Sequence, residues 1–245
     1  MPAKPNKDTP LLTRDQILDR LRALSNPENV AGMSRFGIQS DHVYGVSMPD
    51  LRRLAREAGK SHELARQLWQ INSRETRILA SLVDVPKQVT AAQMEAWAAE
   101  FDNWETCDQV VSNLFQQTPF AYEKARAWSE REEEYVKRAG FVLMARLAVK
   151  DKKATDADLA QFLPIIEREA NDSRAMVKKG VNWALRQIGK RNLALNEAAI
   201  GCATRILKQD NRHGNWVGGD ALSELTSEAV QARLQPRTAT RQENR

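Results

Sequence analysis

Val136-Lys137-Arg138-Ala139-Gly140 returns 41 positions later as Val177-Lys178-Lys179-Gly180-Val181. Each copy pairs a valine with two cations and a nearby glycine, and apolar residues then recur at three- and four-residue spacing. That spacing predicts amphipathic helices. The separation suits a two-helix solenoid repeat, in which each helix pair buries its apolar face against the next pair.

Outward from these two segments the rhythm continues. Strand signals are nearly absent, and Ala, Leu, Arg, Glu and Gln dominate. Helices are predicted over 11–24, from Ser47 with Pro49 in the first turn, from Ser61, across 76–83 up to Pro86, and from Thr90 to about Phe101. Asn103 or Asp102 caps a further one. In the second half the predicted helices cover 120–128, 132–148, 155–170, 173–189 and 196–207. No internal linker stands out, so 11–235 reads as one domain, with 1–10 and 236–245 as disordered ends.

Charge is polarised along the chain. Ten acids face three bases between Glu95 and Glu134, while thirteen bases face six acids between Val136 and Arg191. The net charge of +5 and pI near 9.3 are compatible with a polyanionic partner. Two cysteines, Cys107 and Cys202, make no disulfide framework and read as small buried groups in a reducing cytoplasm. No apolar run has the length of a membrane span.

Several chemistries lack their residues. Gly189-Lys190 is not followed by Ser or Thr, so no phosphate-binding loop forms there. His42, His62 and His213 are isolated and lack metal-ligand spacing with either cysteine, which leaves metal-free and cofactor-free chemistry.

What remains is aromatic, acidic and basic. Trp104 and Asp108 lie four residues apart on one helix face, as do Lys179 and Trp183. Asp108 reads as an ion-paired surface carboxylate or as an acid lining a cationic groove. Trp104 and Trp183 read as core residues or, given the cations around Trp183, as nucleic-acid contacts; Trp69, Trp97 and Trp128 read as core. Arg138 stands near a helix start, where backbone dipoles favour an anion. Lys178, Lys179, Arg186, Lys190 and Arg191 make a basic patch suited to phosphates. If equivalent helices line one face, Asp108, Arg138 and Trp183 converge there. Trp216 and Asp220 repeat the four-residue spacing, but with Gly218 and Gly219 between them they read as a helix entry.

With these residues in place, the chain resembles the AlkD-type DNA alkylation-repair glycosylases. The resemblance runs from Tyr44-Gly45-Val46-Ser47-Met48-Pro49 to about Leu225. It is carried by Trp104-x-x-x-Asp108, by Lys137-Arg138-Ala139-Gly140-Phe141, and by Asn182-Trp183-Ala184-Leu185-Arg186-Gln187-Ile188-Gly189-Lys190. It implies an all-α fold, a right-handed superhelical stack of HEAT-like antiparallel helix pairs. The implied activity is hydrolysis of the N-glycosidic bond of purines alkylated at N3 or N7 in double-stranded DNA, by a cytoplasmic, nucleoid-associated monomer. Asp108 takes the catalytic position. Trp104, Arg138 and Trp183 take DNA contacts, joined by Lys179, Arg186 and Lys190 from the basic patch. Ser47 stands where the best-known members carry Gln, and Cys107-Asp108-Gln109 is characteristic of a different branch. Two other readings predict different behaviour: a non-catalytic protein that binds branched or distorted DNA, and a protein-binding solenoid that docks through its acidic region.

Overall fold

The computed structural model describes residues 12–35, 38 and 43–235. The ends read as disordered, and His42, therefore lie outside the described residues. The chain divides into two compact units, Met1–Ala121 and Tyr122–Arg245. Among the described residues every regular element is helical.

The first unit holds α1 (Arg14–Ala23), α2 (Pro27–Arg35), α3 (Met48–Ala58), α4 (His62–Trp69), α5 (Arg74–Val83), α6 (Ala91–Ala99) and α7 (Trp104–Asn113), followed by a 3₁₀ turn, Phe115–Gln117. The side chains of Thr13, Ser47, Ser61, Ser73, Thr90 and Asn103 each accept a hydrogen bond from the backbone amide three residues on. Such caps satisfy amides that the helix leaves unbonded, at about 1 kcal/mol each. Trp69 and Trp97 stack with ring centroids 4.0 Å apart, over Phe101 and Phe115. α5 is buried almost throughout, and its polar residues Arg74, Glu75 and Arg77 are buried with it.

The second unit holds α8 (Ala121–Ser129), α9 (Glu134–Lys150), α10 (Asp156–Ala160), α11 (Leu163–Glu169), α12 (Ala175–Gly189), α13 (Leu193–Lys208), α14 (Arg212–Leu225) and α15 (Glu228–Leu234). α9 packs along α12, and α12 packs in turn on α13 and α14. The glycines of the repeated segment have different reasons to be there. A Cβ on Gly140 would sit 2.7 Å from the Ser129 amide and 3.0 Å from the Ala125 carbonyl, so Gly140 lets α8 approach α9. A Cβ on Gly180 would meet Phe141 at an ordinary 3.4 Å.

Two sequence readings change. The single helix over 155–170 is α10 and α11, because Pro164 lacks the amide a helix interior needs and sits in the first turn of the second. Trp216 and Asp220 do not mark a helix entry; both lie within α14, which runs through Gly218 and Gly219. Gly218 fits there because a Cβ would lie 2.8 Å from the Ala203 carbonyl. α2 and α15 were not legible in the apolar pattern.

Candidate nucleic-acid interface

In the first unit, Asn103 starts α7 by accepting from the Thr106 amide at 2.9 Å. Thr106, Cys107, Val110 and Val111 face the core. Trp104, Glu105, Asp108 and Gln109 are half-buried, so the indole and the carboxylate share a side of α7 that reaches solvent. The helix is fixed from below. Arg74, 3% exposed, grips Glu105 through Nε and Nη2, and its Nη1 donates to the Val46 carbonyl at 3.2 Å and to Glu75 at 3.0 Å. Burial opposes the Arg74 charge, but the carboxylates of Glu105 and Glu75 outweigh it and hold its pKa above the ordinary value.

Glu75 is 0% exposed and accepts from the backbone amides of Tyr44, Gly45 and Val46 at 3.0–3.3 Å. Gly45 has φ +73°, and a Cβ there would lie 2.2 Å from the Asn26 carbonyl. The backbone from Tyr44 to Val46 is thus tied down ahead of α3, with Ser47 as the cap of that helix. Arg77 reaches Glu100 at 2.8 Å and lies 5.0 Å from the Trp69 ring, which keeps it inside the structure.

In the second unit, Arg138 is only 6% exposed, and its Nη1 donates to the Met176 carbonyl at 2.6 Å. It locks α9 to the first turn of α12. Its neighbour Lys137 pairs with Glu169 at 2.6 Å and Asp172 at 3.2 Å. Arg174 pairs with the same Asp172 at 2.5 Å. Burial pushes the Asp172 carboxyl up, yet hydrogen bonds from Arg174 and Lys137 prevail and bring it down to about 2.

Trp183 is half-buried on α12. With the Gln187 amide oriented to satisfy both donors, its Oε1 accepts from Trp183 Nε1 at 3.1 Å and from Lys190 Nζ at 3.2 Å. The rest of the basic patch divides. Arg186 pairs with Glu224 at 2.6 Å and lies 3.7 Å from Asp220, and Lys190 pairs with Glu224 at 2.6 Å. Arg191 donates to the carbonyls of Ala148 and Asp151. Lys179 is exposed.

Trp104 and Asp108 are thus together on α7, while Trp183, Arg186 and Lys190 are joined through Gln187 and Glu224. Glu224, Gln187, Glu105 and Arg74 were not read from sequence. One signal for Glu224 existed: it follows Arg186 by 38 residues, close to the repeat length. Trp69, Trp97 and Trp128 are core, as read, and both cysteines are buried; burial and the nearby Glu167 push the Cys202 thiol up to about 12. His62 bonds Asp84 at 2.7 Å. No described residues gather three His, Cys, Asp or Glu side chains as a metal site, and no described helix is long and apolar enough to cross a membrane.

A family model described as DNA alkylation repair enzyme matches residues 17–225, which take in both units and every site residue above. The chain belongs to that family. Uncharacterized protein Lin0241 of Listeria innocua serovar 6a is 26% identical over 168 residues, covering 67% of this chain and 75% of the relative. A solved structure described as "a new family of proteins related to the HEAT-like repeat DNA glycosylases with affinity for branched DNA structures" superposes with a TM-score of 0.77 at 18% identity. The match covers 91% of this chain and 96% of that one, and establishes the HEAT-like repeat fold.

Proposed function

We propose that this member of the DNA alkylation repair family binds double-stranded DNA and hydrolyses the N-glycosidic bond of purines alkylated at N3 or N7. The observation that carries the reading is the solvent-reaching side of α7. An indole and a carboxylate stand one turn apart there, on a helix whose start is pinned by the buried Arg74–Glu105 pair.

Alkylation at N3 or N7 places a positive charge on the base, so the leaving group departs without a strong general acid. Positive charge then develops on the deoxyribose as the C1′–N bond breaks. Asp108 stabilises that oxocarbenium-like sugar and orients the water that adds to it, a charge-stabilising role in which single groups contribute on the order of 10²–10³ in rate. On α7, Trp104 presents an electron-rich ring face to the sugar and the cationic nucleotide, and on α12 Trp183 offers a ring face to DNA. Lys179 contacts phosphate directly. Arg138 acts as a fixed positive charge between α9 and α12, and Arg186 and Lys190 supply charge shared with Glu224.

The test is release of 7-methylguanine or 3-methyladenine from methylated duplex DNA by the purified full chain. Release above the spontaneous rate supports the reading; binding without release removes the chemistry from it.

A second reading, DNA binding without base removal, is favoured by the neighbour with affinity for branched DNA and by the burial of Arg138. The same assay separates the two: this reading expects affinity for branched substrates and no free base.

A further inference from the structure

Along α12 and α14 facing side chains meet at sequence offsets of 34 and 38 residues. Arg186 meets Glu224 and Lys190 meets Glu224, with Asp220 beside Arg186. Two turns before Arg186, at the same 38-residue offset as the Arg186–Glu224 pair, Lys178 meets an indole in place of a carboxylate: its Nζ lies 5.0 Å from the centroid of the Trp216 ring. Trp216 is 41% exposed, while Trp69, Trp97 and Trp128 are buried. An exposed indole at this position leaves Lys178 a cation on a ring face instead of half of an ion pair.

The surroundings of the ring carry charge and space. Exposed Arg212 lies one turn before Trp216 on α14. The carboxylate one turn after it, Asp220, lies 3.7 Å from Arg186. Gly219 adds room: a Cβ there would meet nothing within 4 Å. Glycine weakens a helix interior, and no packing contact requires one here. The helix surface beside the indole is therefore bare.

We infer that Trp216, with Lys178 and Arg212, forms a stacking site for an unpaired DNA base and its flanking phosphates. In the interior of a paired duplex both faces of a base are covered by its neighbours, so an indole stacks only on a base whose face is open. Such bases occur in single-stranded segments and at branch points. An exposed aromatic platform with a lysine ammonium on one face and an arginine one turn away matches that ligand: the ring takes the base and the cations take the backbone. The inference rests on the proposed DNA-binding reading but uses residues outside the α7 pair, so it stands or falls apart from the chemistry at Asp108.

The experiment measures binding of the full chain to an end-labelled blunt duplex, the same duplex with a short single-stranded overhang, and a three-way junction carrying unpaired bases at its branch. Wild type, Trp216→Ala, Trp216→Phe and Gly219→Gln are compared. Trp216→Ala is expected to weaken the overhang or junction complex about tenfold while blunt-duplex affinity stays within about twofold. Trp216→Phe retains most of the affinity. Gly219→Gln, which improves helix propensity, reproduces the loss by covering the ring's open side. Which of the two open substrates is affected identifies the source of the unpaired base. Equal losses on all three substrates, or no loss on any, overturn the inference. Failure of wild type to bind the blunt duplex overturns the duplex-binding reading instead.

Discussion

Arg74 holds Glu105 through two parallel hydrogen bonds, Nε to Oε2 at 2.6 Å and Nη2 to Oε1 at 2.7 Å. Glu105 directly follows Trp104 on α7, so this fork holds the first turn of the helix that carries the indole and Asp108. Arg74→Met leaves the Glu75 and Glu105 carboxylates without their cation. A loss of about 3–5 kcal/mol is expected, read as a lower midpoint in urea unfolding. Arg74→Lys recovers only part of it, because an ammonium does not reproduce the planar fork.

Asp108→Asn keeps size and shape and removes the charge. DNA affinity should stay within about threefold, while base release from methylated DNA falls by about 10²–10³. Single-turnover base release beside equilibrium binding measures both, and unchanged release would remove Asp108 from the mechanism.

Glu224 sits between Arg186 and Lys190 and draws both inward; burial opposes its charge, but the two cations prevail and hold its carboxyl below the ordinary value. Glu224→Gln frees two positive charges. Duplex affinity should rise and its dependence on salt should steepen, whereas Lys179→Ala should weaken binding to all sequences alike and flatten that dependence. Titrations at several salt concentrations read both slopes.

Acid should weaken the second unit through Asp172. Its carboxyl titrates at about 2 in the folded chain against an ordinary 3.8, so its contribution is fully present above 3.8 and is lost as pH falls toward 2. The shift corresponds to about 2 kcal/mol. Asp172→Asn should reduce the pH dependence of stability in that window, seen in thermal unfolding across it.

Two glycine-to-alanine changes should act in opposite directions. Gly140→Ala forces a methyl against the backbone of α8 and should destabilise by about 1–3 kcal/mol. Gly219→Ala points into open space and should stabilise by about 0.5–1 kcal/mol. Denaturant midpoints for the two variants give the comparison.

By itself the sequence determined the helical character of the chain and most helix starts, because both are local. Ser47, Ser61, Thr90 and Asn103 cap amides three residues ahead, and apolar spacing sets the buried stripe within a few turns. It also placed Trp104 beside Asp108, since a helix makes neighbours of residues four apart. Only the tertiary structure decided how the charges pair. Arg186 and Lys190 look like open cations in a linear reading, and Glu224, which binds both, is more than thirty positions away. Arg74 reaches Glu105 across 31 residues, and Arg138 reaches Met176 across 38. Electrostatic partners act through distance in space, which repeat packing sets and local spacing does not. For that reason Trp216 read as a helix entry in the sequence and emerges in the fold as an exposed indole beside Lys178.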